Sequence, residues 1–252
     1  MTDAIVLVGG QAVNFWADYY AGTDPELADR QPFTSKDIDF RGNKNAVEIC
    51  AERLGGRALV ARIDDHTVNV GKVLFVDDHG IKREIDFIDQ PHGLSAKDVD
   101  RTAVPVKLLE TAAGPSFKVM HPVLCMESRV CNTMGLPGYG NEHALNQLWA
   151  SIRCAREFLL DLLDRGLTRD VLNLNERVFK FCTKHRYGRK VHAVYLLDPF
   201  DAVVSDERLP AKFRTIRLPQ MRRDLETARQ KVRDELARTK RSASRKSTPK
   251  ER

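Results

Sequence analysis

Asp37 and Asp39 stand two apart in the stretch FTSKDIDFRGN, alternating with Ile38 and Phe40. In a β-strand that spacing puts both carboxylates on one face and both apolar side chains on the other. Like charges so close destabilise a strand unless a cation, a hydrogen-bond donor or open water compensates them. The segment KREIDFIDQ repeats the pattern, with Asp86 between Ile85 and Phe87. If the two strands are neighbours, Asp37, Asp39 and Asp86 converge on one sheet face, and three hard oxygen ligands there suit a divalent cation such as Mg²⁺. Upstream, an apolar run ends at Gly9-Gly10 and a helical pattern begins. Glycines at such a turn let backbone N–H groups approach a phosphate, and the helix N-terminus favours its charge. A phosphate cradle beside a carboxylate cluster is equipment for phosphoryl or nucleotidyl transfer.

The elements that must position these groups follow from periodicity. Residues 4–8 form a short strand, and Ala12, Val13, Phe15, Trp16 and Tyr19 give the next helix its buried face before Gly22. TDPELADRQPFTS, polar and with two prolines, reads as loop. DIDF is a strand, and NKNAVEICAERLGG is a helix closed by Gly55-Gly56. RALVARI, HTVNVGKVLFV and KREIDFID alternate as strands, the last two joined by a hairpin turn at residues 77–80. VPVKLLE is a further short strand or edge element. From Pro122 the pattern turns helical, with the loop LPGYGN after PVLCMESRVCNTMG and long amphipathic stretches through 142–166, 168–188 and 219–241. His121, before a proline at a helix start, reads as a cap. The expected organisation is an αβ domain over 1–120, a helical domain over 121–240, and a basic, disordered tail over 241–252.

Val8-Gly9-Gly10, Asp37-Ile38-Asp39-Phe40 and Asp86 together resemble the signature of the DNA polymerase β-type nucleotidyltransferase superfamily. The nearest branch is the bacterial one of AbiEii-like toxins and minimal nucleotidyltransferases, whose Ser/Thr-x-Asp-Ile-Asp stretch is similar to SKDIDF here. The resemblance covers residues 5–90 well and the helical half less. It implies an α+β fold, a nucleotidyltransferase-like mixed β-sheet with flanking helices followed by a C-terminal helical region. It also implies two Mg²⁺ ions and an NTP such as ATP. Asp37 and Asp39 are then expected to bind both metals, and Asp86 to bind the metal that activates the acceptor hydroxyl or to act as its base. Gly9, Gly10, Lys36 and Arg129 are the expected nucleotide-binding positions. Two features depart from the pattern. Asp37 follows Gly10 by 27 positions, so a loop over the site has grown. Where the family leads one to expect a lysine facing the nucleotide, CMESRV presents Glu127 with Arg129 nearby, and Arg129 or Lys118 is the substitute.

The bulk composition narrows the setting. No apolar run is long enough for a membrane span, and five scattered cysteines without a CxxC pair fit buried thiols, so the expected location is cytoplasmic. Of the net charge of +6, residues 212–252 carry +10, with 15 Lys/Arg against 5 Asp/Glu, which leaves the body mildly acidic. A basic tail attracts phosphate backbones without sequence preference, so RNA is an expected partner, as is an antitoxin if the toxin-like relatives guide the reading. The function these features imply is Mg²⁺-dependent transfer of an NMP to a hydroxyl of RNA or protein, or of a small molecule. The rival from another class is a nucleic-acid- or partner-binding protein on a catalytically degenerate form of the fold.

Overall fold

A computed structural model of the chain describes residues 5–35, 37–62, 65, 69–107 and 116–246. The chain divides into two compact units, Met1–Glu157 and Phe158–Arg252. The first holds a seven-stranded mixed sheet in the order β3-β4-β5-β2-β1-β7-β6. Its strands are β1 (Val6–Val8), β2 (Ile38–Arg41), β3 (Arg57–Val60), β4 (Asn69–Val76), β5 (Lys82–Ile88), β6 (Val104–Lys107) and β7 (Ser116–Val119). Strand β2 is central. It runs antiparallel to β1 on one side and parallel to β5 on the other.

Alternation decides which face is dry. Ile38, Phe40, Ile85, Phe87 and Val73 pack against Ala46, Val47 and Ala51 of helix α3 (Lys44–Arg53). The Phe40 and Phe87 rings lie 5.8 Å apart, centroid to centroid. Burying a large apolar side chain there is worth about 2 kcal/mol, and that stripe fixes the strand register. A slip of one residue would turn Asp39 and Asp86 into this core.

Helix α1 (Gly9–Tyr20) starts directly from β1, and the Trp16 indole donates a 2.8 Å hydrogen bond to the Met120 carbonyl, tying α1 to the start of α5 (Pro122–Gly135). His121 caps α5, its Nδ1 accepting from Val123 N at 3.1 Å. Because α5 packs on α1, the first unit runs past residue 120, the boundary expected from the change of pattern at Pro122, and ends within α6 (Glu142–Asp164).

Several segments differ from expectation, β7 among them. Within the polar segment 23–35, residues Pro25–Asp29 form α2, because Asp24 caps it through Glu26 N and Leu27 N and Pro25 occupies a first-turn position that needs no N–H. Helix α4 (Ala96–Thr102), capped by Ser95, is too short to carry a periodic signal. The basic end is helical further than expected: α9 (Leu218–Lys246) continues past Ser242.

The second unit is helical, with α7 (Thr168–Lys184), α8 (Val191–Tyr195) and α9. The fully buried Asn175 side chain exchanges two hydrogen bonds with the Val204 backbone, and Glu176 grips Arg217 of the turn Phe213–Arg217. Among the described residues no helix is long and apolar enough to cross a membrane.

Candidate functional site

The parallel register of β2 and β5 sets Asp39 opposite Asp86, on the face away from the α3 core. Burial above all, and then the charge of Asp86, push the Asp39 carboxyl up from 3.8 to about 6, with Arg129 offsetting only part. Asp86 is compensated from β4. Lys72, its register partner across the antiparallel β4–β5 pair, places Nζ 3.1 Å from Asp86 Oδ1 and also contacts Glu84. That approach is off the hydrogen-bond direction, so buried Asp86 Oδ1 has an ion pair but no hydrogen bond. The Glu84 carboxylate first, and Asp86 second, raise the Lys72 pKa.

Gly9 turns β1 into α1 at φ +66°, a left-handed conformation that glycine adopts freely. A Cβ at this position would lie 2.0 Å from Asp39 Oδ2, and one on Gly10 would lie 2.6 Å from Ser35 Oγ. The backbone at the start of α1 therefore passes directly against the carboxylate, which only a residue without a side chain allows.

In front of Asp39 opens a cavity of about 390 Å³. It is lined by Gly10, Thr34, Ser35, Asp37 and Asp39, by Tyr139 and Asn141 of the α5–α6 loop, and by His143 in the first turn of α6. Arg129 of α5 lines the cavity too, and burial pulls its pKa down while the nearby Asp39 and Tyr139 pull it back. Gln147 of α6, 3% exposed, holds this arrangement together. Its Oε1 accepts from Arg129 Nη1 at 3.0 Å and its Nε2 donates to the Thr34 carbonyl at 2.9 Å.

Of the residues expected from sequence, the structure brings together Gly9, Gly10, Asp39, Asp86 and Arg129. Asp37 precedes β2 instead of lying in it and sits exposed at the cavity rim, so it does not share the strand geometry expected of it. Its charge still reaches Asp39. Lys36 lies outside the described residues. Glu127 is buried and does not line the cavity; Arg129, not Lys118, is the cation there. Among the described residues no three Asp, Glu, His or Cys side chains are placed to hold a metal ion together. The donor chemistry nonetheless fits a hard divalent cation: Asp39 and Asp86 are adjacent, half-buried carboxylates in register, and burial and the charge of Asp86 raise the Asp39 pKa.

Lys72 was readable, since counting back from the turn at residues 77–80 pairs it with Asp86. Gln147 and Tyr139 left no such signal, because a buried glutamine on an apolar helix and a loop tyrosine look like packing and surface.

In the second unit, α9 pairs Arg229 with Asp198 and Arg233 with Glu226, while Arg222, Arg223, Lys231 and Arg238 are exposed. Asp224, Glu226, Asp234 and Glu235 are exposed beside them, so along its described side chains the helix carries charges of both signs.

No protein-family model matches the chain, and no curated protein matches it.

Proposed function

We propose that the cavity is the active site of a Mg²⁺-dependent nucleotidyltransferase. The observation that carries this reading is the Asp39–Asp86 pair set in register beside a positive-φ glycine turn, with its charge left partly uncompensated. Stability alone does not favour two carboxylates side by side in a half-buried sheet, so a cationic ligand is the simplest reason for them.

Asp39 and Asp86 would hold the metal, with Asp37 as the third carboxylate at the rim. When bound, Mg²⁺ neutralises phosphate charge and lowers the pKa of a coordinated hydroxyl. The free N–H groups at the start of α1 and the Arg129 guanidinium bind the triphosphate. Gln147 orients Arg129 and the Thr34–Ser35 segment, so both walls keep their positions as substrate enters. The acceptor oxygen bonds to the α-phosphorus, the α–β bridging P–O bond breaks, and pyrophosphate leaves. A carboxylate, Asp86 in this scheme, takes the acceptor's proton. RNA or protein is the acceptor class the basic C-terminal sequence favours over a small molecule, and an antitoxin-type partner would belong with the toxin-like version of this chemistry.

A second reading has one observation of its own. Lys72 already supplies Asp86 with a cation, as a binding protein on a catalytically degenerate fold would. Incubating the purified chain with each α-³²P-labelled NTP, Mg²⁺ and cell extract separates the two. Transfer predicts label on RNA, protein or a small molecule with wild type and none with Asp39→Ala; absence of label with every NTP favours the binding protein.

A further inference from the structure

The chemistry proposed above leaves one wall of the cavity without a role. Gly138, Tyr139 and Asn141 of the loop between α5 and α6, with His143 of the first α6 turn, line the cavity together with Asp37 and Asp39. Tyr139 lines the cavity yet is 42% exposed, and among the described residues no ring or hydrogen-bond partner engages its side chain. An apolar ring bordering an open cavity is a surface on which a flat ligand gains by stacking. The loop that carries it is clamped. Asn141 Nδ2 donates to the Gly138 carbonyl at 2.8 Å, and Asn141 Oδ1 accepts from Ala144 N at 2.9 Å, so the backbone on either side of Tyr139 is tied down.

Asp39, Arg129 and Tyr139 line the same cavity. A carboxylate, a guanidinium and an aromatic ring are the partners that a metal-bound polyphosphate ending in a heterocyclic base requires. A volume of about 390 Å³ falls among small-molecule sites, which run from about 300 to 1,000 Å³.

We infer that the α5–α6 loop is the base-binding wall of a nucleotide site, with Tyr139 as the ring on which the base stacks. The inference rests on the nucleotidyl-transfer reading and deepens it. Because every base presents a π-face, recognition by one tyrosine accepts all four bases with similar affinity.

The test is calorimetric titration of the full chain in Mg²⁺ with the α,β-methylene analogues of the four NTPs and, separately, with inorganic tripolyphosphate. Tyr139 is exposed, so Tyr139→Ala leaves the fold intact, and an unchanged melting temperature checks this. Wild type should bind the four analogues within a few-fold of one another and about tenfold more tightly than tripolyphosphate. Tyr139→Ala should lose that factor while its tripolyphosphate affinity stays unchanged, and Tyr139→Phe should keep it. Equal binding of analogues and tripolyphosphate by wild type, or equal analogue binding by wild type and Tyr139→Ala, overturns the inference while leaving the transfer reading standing. Binding of neither ligand overturns both.

Discussion

Asp24 and Asp39 are both carboxylates withdrawn from water in the same unit, and the structure treats them in opposite ways. Asp24, 2% exposed, meets a complete donor set: Arg153 Nε at 2.6 Å, Arg153 Nη2 at 2.8 Å, Glu26 N at 3.0 Å and Leu27 N at 3.3 Å. Burial pushes its pKa up, but the bidentate guanidinium and the two backbone N–H groups outweigh that and hold it below the ordinary value. Asp39 has burial and a second carboxylate on the side of protonation, with only Arg129 and Lys72 opposing at a distance, and it rises to about 6. A charge buried for architecture is paired within the fold. One left short of partners at the edge of a cavity is a functional-site candidate, which is how we read Asp39.

The largest effect expected is at the architectural carboxylate. Asp24→Ala takes the bidentate partner from Arg153, which keeps only the exposed Glu26, and removes the α2 cap, costing about 3 kcal/mol, read from urea unfolding at pH 7. Because the folded pKa of Asp24 lies below its ordinary value, its contribution is present above about pH 4 and is lost as pH falls through the lower folded value. The difference between wild type and Asp24→Ala should therefore shrink in acid.

At the cavity the sign reverses. Asp39→Asn removes the unfavourable charge, and a pKa raised from 3.8 to about 6 corresponds to about 2–3 kcal/mol. Since the folded value is raised, the carboxyl's favourable contribution is complete below pH 4 and is lost as pH rises through 6. The variant should be the more stable protein at pH 7.5 and indistinguishable from wild type at pH 4, as followed by thermal unfolding across that range. A variant less stable at pH 7.5 would remove the contrast with Asp24.

Gly9→Ala should cost about 2 kcal/mol, from the left-handed backbone and from a Cβ 2.0 Å from Asp39 Oδ2. Pairing it with Asp39→Ala should recover part of that loss, because the clash partner is gone. Smallest is Gln147→Leu, at about 1–2 kcal/mol, because Arg129 Nη1 loses its acceptor while the carbonyl of exposed Thr34 turns to water. Its greater consequence should be weaker triphosphate binding, through an Arg129 no longer held in place.

The half of the site that strand alternation controls was legible from sequence. Period-two patterning placed Ile38, Phe40, Ile85 and Phe87 in the core and thereby Asp39 and Asp86 on the other face, and the glycine pair marked the close approach at Gly9. Asp37 was misplaced because β2 starts one residue later than the alternation suggested, and alternation says nothing beyond the strand's end. The other half of the cavity comes from α5, α6 and their loop, joined to the segment before β2 by contacts across more than a hundred residues, such as Gln147 with Thr34. No local periodicity encodes such contacts, so Gln147 and Tyr139 appear only once the chain is folded. The extent of α9 was missed for a related reason: a run of lysine, arginine and serine reads as unstructured on composition, yet a helix already started by a buried stripe at Met221, Leu225 and Val232 carries on through it.

The central claim is that the Asp39–Asp86 pair is left short of charge because Mg²⁺ and a nucleotide complete it. Its most direct test is thermal unfolding of wild type and Asp39→Asn at pH 7.5, each alone, with Mg²⁺, and with Mg²⁺ plus NTP. The account predicts that Asp39→Asn is the more stable when ligand-free and gains nothing from either addition, whereas wild type gains from Mg²⁺ and further from Mg²⁺ with NTP. Equal gains in both proteins, or none in wild type, would contradict it.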